Sequence, residues 1–188
     1  MTEWNPALDT LLADWTDQAK CFEWMHSESA SMFRNRAQKI MISLTALSAI
    51  SGAGNIMTST AQIGPIQVGW IFGALSVAYG VIHVLNDNLG YNALAQAHSQ
   101  YESQWGHLRR QLEAELILPY ASRKNASSFI QMTQTAIDQI SSEGSSAIPK
   151  SIREACSVQF DGITGFKLPD ICGVSTHTAV YTALLSSS

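Results

Sequence analysis

Few residues of this chain are equipped for chemistry, and several of them lie in apolar surroundings. His83 stands one helical turn before Asp87 at the end of an apolar run. A titratable ring there suits a gate near the mouth of a pore. It equally suits a neutral imidazole hydrogen-bonded to a polar group of a neighbouring helix. Thr45, Ser48, Asn55 and Ser76 are set among Ile, Leu and Val, where they could line a water path or join two helices. His26, His98 and His107 lie on more polar stretches. The first two would come level across a helical hairpin, as half of a metal site, but no third ligand falls at helical spacing. Cys21, Cys156 and Cys172 are too scattered for a zinc site or a disulfide framework and read as reduced thiols in a cytosolic setting. The sequence holds no Ser/His/Asp set, no paired carboxylates and no glycine-rich phosphate loop. No catalytic residue, metal or cofactor is therefore expected, and the chain is not expected to be an enzyme.

The elements that must position these residues are dominated by one stretch. From Ile40 to Asn86 there is no acidic residue, lysine or arginine. It contains two apolar segments, 40–57 and 68–85, around a loop at 58–67 that carries Gly64-Pro65. As a helix each segment would be roughly 27 Å long, close to the ~30 Å hydrocarbon core of a bilayer. Only 14% of the chain is charged, against about a quarter in a typical soluble domain. The net charge of −4 gives no broad basic surface and argues against nucleic acid as a partner. Arg34, Arg36 and Lys39 precede the first segment and the connecting loop has no charge, which by the positive-inside rule keeps both termini cytosolic.

Small or polar residues recur along the second segment as Gly69, Gly73, Ser76, Gly80 and His83, then Asp87 and Gly90. Alternating steps of four and three put them on one helical face. Gly69 and Gly73 also form a GxxxG, which lets a neighbouring backbone come close. In the first segment Thr45, Ser48, Gly52 and Asn55 form the matching stripe. Folding the hairpin at Gln62-Ile63 sets Asn55 level with Gly69, Gly52 with Gly73, Ser48 with Ser76 and Thr45 with Gly80. These nine residues are the expected helix-packing or pore-facing set. The stripes continue outside the apolar stretch, as Leu8, Leu12, Trp15, Ala19, Phe22, His26, Ser29 and Phe33 before it and Leu94, Ala97, Tyr101, Trp105, Leu108 and Leu112 after it. The expected elements are an amphipathic helix over 1–39 leading into the first span, and one helix from about Val68 to Leu118, its part at 86–118 continuing the second span into water until Pro119. Shorter helices follow within 119–160, about Ala126–Ser142 and Pro149–Cys156, then an irregular tail over 161–188. The fold class expected is all-α: a two-span integral membrane hairpin extended into a cytosolic helical stem with two shorter packing helices.

Nearly the whole chain resembles the two-transmembrane SLATT family (SMODS- and SLOG-associating effector domains), closest to single-domain versions in algal giant viruses. The residues that carry the resemblance are Cys21-Phe22-Glu23-Trp24-Met25-His26, Leu47-Ser48, Gly52-Ala53-Gly54-Asn55, Leu94-Ala95-Gln96-Ala97-His98 and Trp105-Gly106. Further matches are Glu113-Ala114-Glu115-Leu116, Arg123-Lys124-Asn125-Ala126, Phe129, Ile148-Pro149 and Leu168-Pro169-Asp170-Ile171-Cys172. The resemblance implies a helical membrane protein with two crossings and a cytosolic stem, and a pore-forming effector role. It brings no catalytic residues, and no attached sensor or nucleotide-synthesising domain is expected here. Two functions are thus expected as competitors. One is a homo-oligomeric, pore-forming or membrane-perturbing protein. The other is a structural virion protein tethering a viral inner membrane to a protein shell, with viral structural proteins as partners. A soluble helical bundle with a very apolar hairpin is a third arrangement. The lipid bilayer, of a host membrane or a viral inner membrane, is the common partner of the first two.

Overall fold

Asn5 starts the longest helix: its Oδ1 accepts the Leu8 amide at 3.0 Å, and Pro6 fills the first helical position, where a missing N–H costs nothing. In the computed structural model the chain is all-helical, with five α-helices among the described residues. The structure describes residues 3–57, 62–63, 66–144 and 148–173, and the side-chain surroundings of these except at 51–57, 62–63, 66–68, 85–87 and 143–144. The helices are α1 (Pro6–Met57), α2 (Val68–Leu89), α3 (Tyr91–Leu116), α4 (Ala126–Gly144) and α5 (Lys150–Gln159). Between α1 and α2 lies a two-residue antiparallel pair, β1 (Gln62–Ile63) with β2 (Ile66–Gln67), in the register Gln62↔Gln67 and Ile63↔Ile66. The expected turn at Gln62-Ile63 is therefore displaced toward the α2 side. Short 3-10 turns follow at Tyr120–Ser122 and Asp170–Cys172.

One expectation is corrected here. The single helix expected from Val68 to Leu118 is two helices. Gly90, between them, has φ +57, a left-handed conformation that glycine adopts at little cost and that ends α2. The Leu94 amide bonds back to the Gly90 carbonyl at 2.9 Å to begin α3. The break resets the helical phase, so the residues buried at the start of α3 are Ala95 and His98, while Leu94, Ala97 and Tyr101 are only half-buried. Among the described residues no helix is long and apolar enough to cross a membrane.

The chain divides into two compact units. Unit 1 comprises residues 1–25 and 102–188, of which 174–188, most of the expected tail, lie outside the described residues. Its core holds Leu12, Ala19, Trp105, Leu108, Leu112, Phe129, Ile140, Ile152 and Phe160. The α1 and α3 stripes thus pack as their spacing predicts, with Phe22 stacked on Trp105 at 4.6 Å between ring centroids. On α4 the buried stripe is Phe129, Thr133 and Ile140, and Met132 faces outward. Unit 2 is residues 26–101, with a smaller core of Ala30, Phe33, Ala37, Leu44 and Ala95 around His26, Ser29 and His98.

Candidate functional site

In unit 2 the residues expected to pack or face a pore lie on open surface. Thr45, Ser48, Gly69, Gly73, Ser76, Gly80 and His83 are all exposed. A Cβ built on Gly69, Gly73 or Gly80 would meet nothing within 4 Å. The expected seam inside the hairpin is therefore not formed at these positions. The hydroxyls of Thr45 and Ser76 do not join helices either: each donates to the carbonyl one turn back on its own helix, Met41 and Phe72, at 2.9 Å. A helical hydroxyl with no cross-helix acceptor satisfies itself in this way. The backbones of Gly52 and Asn55 belong to α1, while their side-chain surroundings lie outside the described residues. The His83 ring sits 5.9 Å from that of Tyr79, its neighbour one turn earlier.

The same α2 surface is apolar. Trp70 is 76% exposed and Val77 68%, with Ile71, Val81, Ile82 and Val84 also exposed. Gly69, Trp70, Gly73, Ala74 and Val77 line a shallow recess on it. On α1, Met41, Ile42 and Ile50 face outward as well. The sequence signal for this surface is the absence of charge from Ile40 to Asn86, but that signal does not say which face is covered.

Next to this surface in the sequence is a polar site that the spacing does anticipate. His26 on α1 and His98 on α3 are 0% and 1% exposed, and their Nδ1 atoms lie 2.8 Å apart. One ring donates and the other accepts, so the neutral pair needs one Nδ1–H and one Nε2–H tautomer. The Phe33 ring stacks on His98 at 5.4 Å, and the Tyr101 ring lies 5.2 Å from His26. The Nε2 of His26 is buried with no hydrogen-bond partner among the described residues. Burial, then the neighbouring His98, push His26 down to about 4, because a charged imidazole would lose its water there. Among the described residues, no group of three or more His, Cys, Asp or Glu side chains is placed to hold a metal ion.

Unit 1 handles polar groups differently. Arg123, its side chain 5% exposed, pairs with Asp9 and donates to the carbonyls of Leu118 and Leu116 at 2.8 and 2.9 Å. These are orphan acceptors at the end of α3. Its guanidinium also lies over the rings of Trp4 and Tyr120, at 5.0 and 4.8 Å. Asp9 accepts from the Tyr120 hydroxyl at 2.7 Å; that bond first, then Arg123, holds its carboxyl below the usual range. Arg109 bridges Glu23 at 2.6 Å and Glu113 at 2.8 Å. Sequence reasoning quoted Arg123 only as part of a resemblance, since a residue that closes a chain reversal has no periodic signature. It also missed the cysteines, which were read as scattered: Cys21, Cys156 and Cys172 converge in the core of unit 1. No family model, curated protein or solved structure matches this chain.

Proposed function

We propose that the chain is a two-pass membrane protein whose copies associate through the small-residue face of α2, forming a pore or another membrane-perturbing assembly. The observation that carries this reading is the coexistence on α2 of outward Trp70, Val77, Val81 and Val84 with an open glycine face. In water each such large side chain forgoes about 1.5–3 kcal/mol of burial. Lipid removes that penalty for the valines and Trp70, and a second copy fills the space above Gly69, Gly73 and Gly80 by close backbone approach. The charge pattern supports the same solvent: nothing ionic from Ile40 to Asn86, and a basic cluster at Arg34, Arg36 and Lys39 just before it. The SLATT resemblance supports pore formation. On this reading both termini are cytosolic, the lipid bilayer is the partner, and no catalytic residue or cofactor is involved.

Full-length protein reconstituted into dye-loaded liposomes tests it. Release should rise more steeply than linearly with protein per vesicle, and Gly73→Leu, which fills the open face, should lower release at equal incorporation. Tight vesicles at high incorporation would overturn the proposal. One observation favours a second reading, that of a structural protein tethering a viral inner membrane to a shell: unit 1 has its own core and partnered buried charge, as a docking body needs. Quantitative mass spectrometry of purified particles decides, and absence of the chain from them ends that reading.

A further inference from the structure

The chain has three cysteines, and all are buried in unit 1. Cys21 comes from α1, Cys156 from α5 and Cys172 from the 3-10 turn at Asp170–Cys172. The Cys156 thiol neighbours those of Cys172 and Cys21, and Cys172 Sγ lies 3.8 Å from Met25 Sδ. Met25 is one turn beyond Cys21 on the same face of α1. Elements distant in sequence thus bring every thiol of the chain to one place. If the thiols acted only as small apolar fillers, nothing would require them to converge.

We propose that this cluster is a dithiol–disulfide site, in which Cys156 and Cys172 form a disulfide in exchange with a small-molecule disulfide such as oxidised glutathione, and Cys21 serves as the third, exchanging thiol. Cys172 is the least buried of the three and reacts first. Its thiolate attacks one sulfur of the oxidant, forming a mixed disulfide and releasing one small thiol. The Cys156 thiolate then attacks the Cys172 sulfur, the Cys156–Cys172 bond forms, and the second small thiol leaves. Two protein thiols are oxidised, one small disulfide is reduced to two thiols, and the two protons leave with them. Cys21 can next attack the Cys156 sulfur, which frees Cys172 and moves the bond from the 3-10 turn to α1. For Cys156 the Cys172 contact pulls the thiol down, but the Cys21 contact and burial outweigh it and push it up to about 12. The Cys156 contact and burial also raise Cys172. The closed dithiol form is consequently slow to react at neutral pH, and exchange proceeds when the 3-10 turn opens.

The test is oxidation of the folded full-length protein with oxidised glutathione, followed by alkylation and peptide mapping. Alkylatable thiols should fall from three to one, with a Cys156–Cys172 peptide dominant and a minor Cys21–Cys156 peptide. Cys21→Ser should keep the first peptide and lose the second. Cys156→Ser should give glutathione adducts and no internal disulfide. The wild-type measurement stands even if a variant fails to fold. Three thiols still alkylatable after oxidation at unchanged helicity would overturn the proposal, assigning the cluster to inert packing. A disulfide that forms only in denaturant would overturn it too. So would isolation with a stoichiometric soft metal ion bound by the three sulfurs.

Discussion

The two units treat exposed and buried surface in opposite ways. Unit 1 places its ionic groups where partners meet them: Arg123 with Asp9 and the α3 carbonyls, Arg109 between Glu23 and Glu113. Its large apolar side chains mostly point inward. Unit 2 carries no ionic group over Ile40–Asn86, buries a hydrogen-bonded histidine pair, and turns Trp70, Val77 and Val81 outward. On the proposed reading, the contrast follows from the solvent around each unit. An exposed valine is unremarked in unit 1, as at Val158, 76% exposed, whereas a row of them on an uncharged helix calls for lipid or another copy.

The largest expected effect breaks this contrast directly. Val77→Lys with Val81→Lys puts two charges at the middle of the second apolar segment, at about 2.5–3.5 kcal/mol each on an insertion scale. The double variant should leave the membrane pellet on carbonate extraction, while Val158→Lys in unit 1 should partition as wild type. Equal behaviour of the two would remove the distinction between the units.

In unit 1 the sharpest single change is Arg123→Ala. It strands Asp9 without its cation and uncovers the Leu116 and Leu118 carbonyls, so a loss of about 3 kcal/mol is expected. Urea unfolding followed by the fluorescence of Trp4, which lies against Arg123, measures it. Arg123→Lys keeps the charge but not the planar fork, and should recover less than half of the loss.

The histidine pair gives unit 2 a pH signature at the imidazole of His26. His26 sits at about 4 in the folded chain against 6.5 in the unfolded one. The unfolded state therefore takes up a proton between those values that the folded state refuses. Stability is fully present above about pH 6.5 and declines as pH falls toward 4, by about 3 kcal/mol in total. Thermal melts across that window should show the decline, and His26→Asn should flatten it.

How far the sequence carried each unit follows from the kind of signal involved. Alternating four-three spacing is a local property, so the α1 stripe from Leu12 to Phe33 and the level meeting of His26 with His98 could be read in advance. By spacing, Gly90 is one more small residue on the stripe of the second segment, and only its backbone angle reveals that it ends a helix. The small-residue stripe reads as helix-packing or pore-facing without a choice between them, because spacing identifies a face and not what covers it. Convergence of Cys21, Cys156 and Cys172 was invisible for another reason: it depends on how α5 and the last 3-10 turn settle on α1, and no local pattern encodes that.

The smallest expected effect compares a glycine from each unit. Gly106 on α3 is buried, and a Cβ there would lie 2.5 Å from Glu23 Oε1 and 3.2 Å from Arg110 Nη1. Both are ends of flexible side chains that can withdraw. Gly106→Ala gains about 0.8–1.0 kcal/mol of helix propensity and loses part of the partly buried Glu23–Arg109 pair, worth about 1 kcal/mol. The two nearly cancel, and a change under about 0.5 kcal/mol is expected in urea unfolding. Gly73→Ala meets nothing in the single chain, so it should gain the full propensity, about 0.8–1.0 kcal/mol, in dispersed detergent micelles. In liposomes the same methyl group would stand between two approaching backbones and weaken association. A Gly73→Ala variant that behaves identically in both settings would mean that the open face of α2 has no second copy to meet.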